Sequence, residues 1–208
     1  MNAEFPMSEA DLCALIGSRI CHDLVSPVGA IGNGVELMSM GGVPEEIGTA
    51  TPELDLVRES VSNAQTRLRF FRIAYGQASA EQDVGRAEVL AILTELYKSG
   101  RLRVHWGVEE AQPRRDIKLA FLILQCLESA MPFGGQARIW KDGTGWCFQG
   151  EAEKLRLEPI LWEALDSGTI PSPLRPSQVH FALIPQAARA LGRTPTVRSG
   201  AQTVLVTA

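Results

Sequence analysis

Two apolar stripes, each stepping by three and four residues, set the first limit on what this chain folds into. The first is Leu12, Ile16, Ile20, Leu24, Val28, Ile31, Val35 and Met38; the second is Leu54, Val57, Val61, Ala64, Leu68, Phe71 and Tyr75. That spacing lines one face of a helix, whereas a strand would need alternation. Ser8 with Asp11 three positions on is a weak capping box for the first helix, and Gly41 and Gly42 end it. Thr51-Pro52-Glu53 opens the second, with Thr as cap and Pro in the first turn, and Gly76 stops it. The result is a helical hairpin over residues 8–75, with too little core to stand alone. Its seams ask for a third and a fourth helix. Either a second copy of the chain in a two-fold four-helix bundle, or the rest of the same chain, supplies them. The dimer is the expectation carried forward, and the second seam runs without a break, as coiled-coil seams do.

The second half alternates helix and strand. Glu88 to Ser99 reads as a helix closed by Gly100, Leu102 to Trp106 as a strand, and Asp116 precedes an apolar helix running to about Met131. Ala137 to Lys141 and Trp146 to Gln149 pair as a hairpin across Asp142-Gly143-Thr144-Gly145. Helical pattern returns at Leu157 to Leu165 and at Ser177 to Leu191, with Pro185 inside the latter. Thr196 to Arg198 and Thr203 to Thr207 finish as strands. This order predicts an α+β chain: a helical hairpin, then a two-layer α/β sandwich. The expected division is 1–78 and 79–208, in the small-residue stretch from Gly76 to Gly85. Trp106, Trp140, Trp146 and Trp162 read as core or sheet packing.

Composition narrows the function. With 208 residues the chain buries a core without staples. A net charge of −4, from 20 basic and 24 acidic residues, argues against a binder of nucleic-acid backbone. Cys13, Cys21, Cys126 and Cys147 form no CxxC pair and no metal spacing with the three histidines, so reduced, mostly buried thiols in a cytoplasmic protein are expected. No signal peptide is read at the N-terminus, and the longest apolar runs, such as Leu119 to Leu124, are too short to span a bilayer. No membrane partner is expected.

Inside the first stripe lies Cys21-His22-Asp23-Leu24-Val25-Ser26-Pro27. A proton-accepting imidazole stands directly before a carboxylate, and a helix breaker follows. Local rules broken together point to a functional site. His22 lies about 200° of rotation from Ile20 and Leu24, so it points away from the core. Ser18, Arg19, Val25 and Ser26 are its neighbours on the helix. Pro27 cannot donate to the Asp23 carbonyl and predicts a kink. Gly29, Gly32 and Gly34 leave two readings open: close approach of another protein, or tight helix packing. Imidazole is a competent nucleophile near neutral pH, and attack on a phosphoryl group gives a phosphohistidine. Asp23 is placed to accept a hydrogen bond and favour the right tautomer, and Ser26 to position a water or the phosphoryl group. A metal site and a serine-hydrolase triad both fit poorly. Arg67, Arg69 and Arg72 serve partner docking or form a solvated face. Arg19, Gly29 and Asn33, with Glu36, are further docking candidates.

His22-Asp23-Leu24-Val25-Ser26-Pro27 resembles the histidine box of sensor histidine kinases, and a hairpin followed by an α/β domain is their order too. The departures carry information. Leu124 to Ala130 looks like the asparagine box that holds magnesium, with Gln125 and Ser129 where asparagines stand in the kinases. Phe148-Gln149-Gly150-Glu151-Ala152 lacks the aspartate and second glycine of the adenine-reading box. Pro171-Ser172-Pro173-Leu174-Arg175-Pro176 replaces the glycine-rich lid, and prolines remove the amide donors that cradle phosphate. A kinase scaffold that keeps the histidine and loses the nucleotide site is similar to the ChpT-type histidine phosphotransferases of alphaproteobacterial phosphorelays, as is Arg67 to Gly76.

The resemblance implies a homodimer with a four-helix bundle and flanking degenerate ATPase-like domains. Phosphate would pass from the receiver aspartate of a hybrid kinase to His22, then to the receiver aspartate of a response regulator controlling the cell cycle. No cofactor is implied, magnesium being held by the receiver. The competing readings are a divergent histidine kinase and a non-catalytic dimeric adaptor.

Overall fold

The computed structural model describes residues 7–40, 51–77, 82–143, 145–170 and 172–208. Helix α1 spans Glu9–Met40 and α2 spans Pro52–Ala74. The capping box forms: the Asp11 amide donates to Ser8 Oγ at 3.1 Å, and the Ser8 amide donates back to Asp11 Oδ2 at 3.3 Å. Thr51 Oγ1 caps α2 by accepting from the Leu54 amide at 3.3 Å. Gly41 and Gly42 lie outside the described residues. Helix α1 runs through Pro27 unbroken, with that ring buried; the expected kink is no break in the helix. Gly34 on α1 meets Val57 on α2, and the earlier Asp23 meets the later Arg67, so the two helices run antiparallel.

The apolar stripe divides. Leu12, Ile16 and Ile20 pack against the core, whereas Val28, Val35, Met38 and, on α2, Leu68 are exposed in the single chain. The three glycines divide as well. A Cβ on Gly34 would sit 2.5 Å from Val57 Cγ2, so that glycine serves tight packing; Gly29 and Gly32 face open space.

The remaining helices are α3 (Arg86–Tyr97), α4 (Arg114–Ala130), α5 (Pro159–Ser167) and α6 (Val179–Arg189). The strands are β1 (Asp83–Val84), β2 (Leu102–Trp106), β3 (Gln112–Pro113), β4 (Gly135–Asp142), β5 (Gly145–Glu151), β6 (Thr196–Ser199) and β7 (Thr203–Thr207). The main sheet has the order β2-β4-β5-β7-β6. Its β2–β4 pair is parallel and its other pairs antiparallel. Asp142 opposes Gly145 at the β4–β5 turn, of which Thr144 lies outside the described residues. A second small sheet pairs β1 with β3.

Helix α4 is the centre of the molecule. Ile117, Leu119 to Leu124, Cys126 and Leu127 are buried on all sides, with β4 and β5 against one face and α2 and α6 against others. A stretch that is apolar all round, as Leu119 to Leu124 is, has to be buried all round, and the helix is exposed only at its polar ends, at Arg115, Glu128 and Ser129. Phe70 on α2 stacks on Phe121 of α4 at 4.6 Å, so the second half of α2 belongs to the same core as the sheet. The division expected at 78/79 falls in residues 78–81, outside those described.

Several expectations need correction. Helix α4 begins at Arg114, which places Asp116 inside its first turn, where it accepts from Trp146 Nε1 at 2.9 Å. The last helix opens with a 3-10 turn at Pro176–Gln178 and reaches Arg189. Trp140 is only half-buried, unlike Trp106, Trp146 and Trp162. Cys126 and Cys147 are buried, but Cys13 and Cys21 are exposed. No described helix is long and apolar enough to cross a membrane.

Candidate functional site

His22 and Asp23 are sequence neighbours in opposite environments. The His22 side chain is 85% exposed and that of Asp23 only 9%, because successive positions on a helix point about 100° apart. The two still meet, with His22 Nδ1 3.0 Å from Asp23 Oδ1. The other carboxylate oxygen faces two guanidiniums. Arg19 Nε lies 2.9 Å from Oδ2 and Arg67 Nη1, from α2, lies 3.9 Å away. The Arg19 Nε–H does not point along its contact, so that pairing is ionic rather than an aligned hydrogen bond. Arg67 is in turn held by Asn63, whose Oδ1 accepts from Nε at 2.9 Å. With Nδ1 against a carboxylate, the tautomer that donates from Nδ1 is favoured. Nε2 is then the nitrogen with the free lone pair.

A groove between α1 and α2 opens at this ring, lined by His22, Ser26 and Pro27 from one helix and Glu59, Asn63 and Arg67 from the other. Below it, a polar cavity joins the hairpin to α3 and α4. Arg19, Asp23 and Arg67 reach it from the hairpin, Tyr97 from α3, and Gln125 and Glu128 from α4. Tyr75 donates to Gln125 Oε1 at 2.6 Å and Tyr97 to Glu128 Oε2 at 3.2 Å. Burial pushes both tyrosine hydroxyls up. Desolvation also holds the Glu128 carboxyl above the ordinary range, against the opposing pull of Arg19 and Arg67; Glu128 is an exposed residue, which weakens that shift.

Gln125 and Ser129 are committed to internal hydrogen bonds. Gln125 holds Tyr75, and Ser129 Oγ donates to the Gln125 carbonyl at 2.9 Å and lies 3.4 Å from His180 Nε2. Burial lowers His180 to about 3. Gly150 is walled in by Val204, Leu127 and Met131. A cleft beside α4 is lined by Arg156, Arg175, Ser177, Gln178 and Trp162. Within it Arg175 pairs with Glu158 at 3.1 Å. Pro171 lies outside the described residues.

The structure therefore brings His22, Asp23, Ser26, Arg19 and Arg67 together. Gly29 and Asn33 lie further along α1 on exposed positions outside the groove, as does Glu36. Arg69 is exposed and donates to Thr66 Oγ1 at 3.0 Å. Arg72 is exposed, and its carbonyl accepts from Arg114. Sequence reasoning placed Arg19 on a docking face; the structure turns its side chain inward, 19% exposed, against Asp23. The signal was present, since Arg19 and Asp23 stand four apart on one helix. Glu59, Asn63 and Glu128 were missed, and their arrival depends on how the helices dock.

A profile described as the histidine phosphotransferase C-terminal domain matches residues 86–203. The protein phosphotransferase ChpT of Brucella abortus (strain 2308) is 34% identical over 177 residues, which is 82% of this chain and 81% of that one. A solved bacterial phosphotransferase superposes with a TM-score of 0.74 at 29% identity, covering 97% of both chains. Fold and matches together define a histidine phosphotransferase that works with partners of two-component signalling. Within that class, the chain belongs to the ChpT-type family of phosphorelay phosphotransferases.

Proposed function

We propose that His22 is the phosphoryl carrier, loaded by the receiver aspartate of a hybrid kinase and unloaded onto the receiver aspartate of a response regulator that governs the cell cycle. The observation that carries this reading is the exposed ring whose Nδ1 is held by a largely buried carboxylate. In the loading step the Nε2 lone pair forms the N–P bond. The P–O bond to the receiver aspartate breaks, and its electron pair leaves on that carboxylate. The proton stays on Nδ1, which donates to Asp23, and the negative charge of that carboxylate offsets the positive charge the ring gains. Unloading is the same step in reverse with a second receiver. Ser26, in the same groove, orients the phosphoryl oxygens or a water. Magnesium is supplied by the receiver, and the chain itself holds no cofactor. Gly29 and Asn33, with Arg69, belong to the surface the receiver covers.

The same reading has the phosphotransferase act as a cytoplasmic homodimer that does not use ATP. Supporting the last point, Gln125 and Ser129 are spent on internal partners, and Gly150 packs in the core instead of opening a phosphate cradle. The test is incubation with a phosphorylated receiver. Wild type is expected to take up label and His22→Ala to take up none, while calorimetry with ATP and magnesium gives no binding heat. Labelling of His22→Ala at the wild-type level would remove His22 as carrier, and tight ATP binding would favour a divergent kinase.

A further inference from the structure

The cavity under His22 holds more charge than a packing interface needs. Two arginines and two carboxyl groups, Arg19, Arg67, Asp23 and Glu128, line it together. The Asp23 and Arg19 side chains are only 9 and 19% exposed, and charges so far out of water are costly unless paired; Arg67 and the exposed Glu128 complete the cluster from its rim. Asp23 is its hub. One oxygen meets His22 Nδ1 at 3.0 Å, and the other meets Arg19 at 2.9 Å and Arg67 at 3.9 Å. The arginines are held from elsewhere. Asn63 accepts from Arg67, and the Ser177 carbonyl, beside α6, accepts from Arg19 Nη1 at 3.4 Å. Glu128 on α4 attracts both guanidiniums across the cavity and is hydrogen bonded by Tyr97.

We propose that Arg19 and Arg67 are positioning residues for phosphotransfer: they aim the Asp23 carboxylate at His22 Nδ1, and the sandwich half holds them there through Ser177 and Glu128. Neither arginine is hydrogen bonded to the ring. Each draws Oδ2 inward, which leaves Oδ1 directed outward at the imidazole and fixes the Nδ1–H tautomer. The sandwich thereby takes part in setting up the histidine. This inference rests on His22 as the carrier, so its test separates the two claims.

The full-length protein, labelled with 15N-histidine, is examined by NMR at alkaline pH, where the tautomers of the neutral ring are read. Wild type is expected to hold His22 as Nδ1–H. Arg19→Gln and Arg67→Gln each shift the ring toward Nε2–H, and the pair together slows uptake from a phosphorylated receiver tenfold or more with unchanged helical circular dichroism. Arg67 is the more exposed of the two, so Arg67→Gln keeps the test available if Arg19→Gln does not fold. Glu128→Gln shifts the same signal in the same direction by less. Slow uptake with an unshifted tautomer would assign the arginines to docking and overturn the proposal. A signal indifferent to Glu128→Gln would overturn the part played by the sandwich. Uptake by His22→Ala bears on the carrier alone and leaves the tautomer result readable.

Discussion

His180 sits at the other end of the chemistry from His22. It is 1% exposed, and its Nδ1 has no partner. Burial drops it from 6.5 to about 3, so it is neutral in the fold. Above pH 6.5 the imidazole is neutral in both the folded and unfolded chains and has no effect on stability. Below that, the unfolded chain binds a proton that the native chain refuses. Stability therefore falls with falling pH, by up to about 1.4 kcal/mol per unit, until the native group titrates. Glu128, raised by desolvation, acts in the opposite direction, so a matched variant is needed to isolate His180. The expected outcome is that wild type loses roughly 2 kcal/mol more than His180→Leu between pH 6.5 and 4.5, measured by urea unfolding. Parallel curves for the two proteins would refute it. The contrast between the two histidines was only half legible. His22 stood out because an acid and a proline flank it, whereas nothing local to His180 told of its burial under α4. The four-residue spacing of Arg19 and Asp23 carried their pairing, although Arg19 was read as a docking residue; nothing in the sequence carried the approach of Arg67, which depends on the hairpin register.

Among the elements, α1 offers a controlled comparison in its glycines. At Gly34 an added methyl would stand 2.5 Å from Val57 Cγ2, and valine is stiff at χ1 and does not swing aside. Forcing it in costs about 1–3 kcal/mol, only partly offset by about 1 kcal/mol of helix propensity. At Gly29 the same methyl meets nothing within 4 Å, so propensity acts unopposed. Gly34→Ala is expected to lower the melting temperature and Gly29→Ala to raise it by roughly 2–4 °C. If both substitutions shift it the same way, the packing argument fails. The comparison also marks what a one-dimensional pattern carries. Three- and four-residue steps placed α1 and α2, and the apolar length of α4 announced a buried helix. The β1–β3 pair escaped notice because each strand has two residues and so no period to read. The start of α4 was placed late because Arg114 and Asp116 are buried polar groups paired through contacts distant in sequence.

For the whole molecule, the unbalanced surface is that of the hairpin. Val28 and Val35 fall along one flank of α1 and are 57 and 55% exposed, with Val25 and Met38 at its two edges 69 and 39% exposed, and Leu68 on α2 is 51% exposed. The sandwich exposes far less, chiefly Phe133 and Ile160. Scattered apolar residues on a surface need no explanation, but a periodic stripe does. Its spacing is that of a helix-bundle seam, and a two-fold partner would present the same stripe in return. On α1 the groove residues His22 and Ser26 lie on a different side of the helix from Val28 and Val35, while Leu56 on α2 lines the groove itself. The expected species in solution is accordingly a dimer joined through the hairpins. The double variant Val28→Glu, Val35→Glu places two charges in that seam on each chain. Sedimentation velocity should then find twice the chain mass for wild type and a monomer for the variant, with near-ultraviolet circular dichroism from Trp106, Trp146 and Trp162 unaltered, since those rings lie in the sandwich core. A variant that stays dimeric would place the contact elsewhere, and a monomeric wild type at micromolar concentration would refute the bundle.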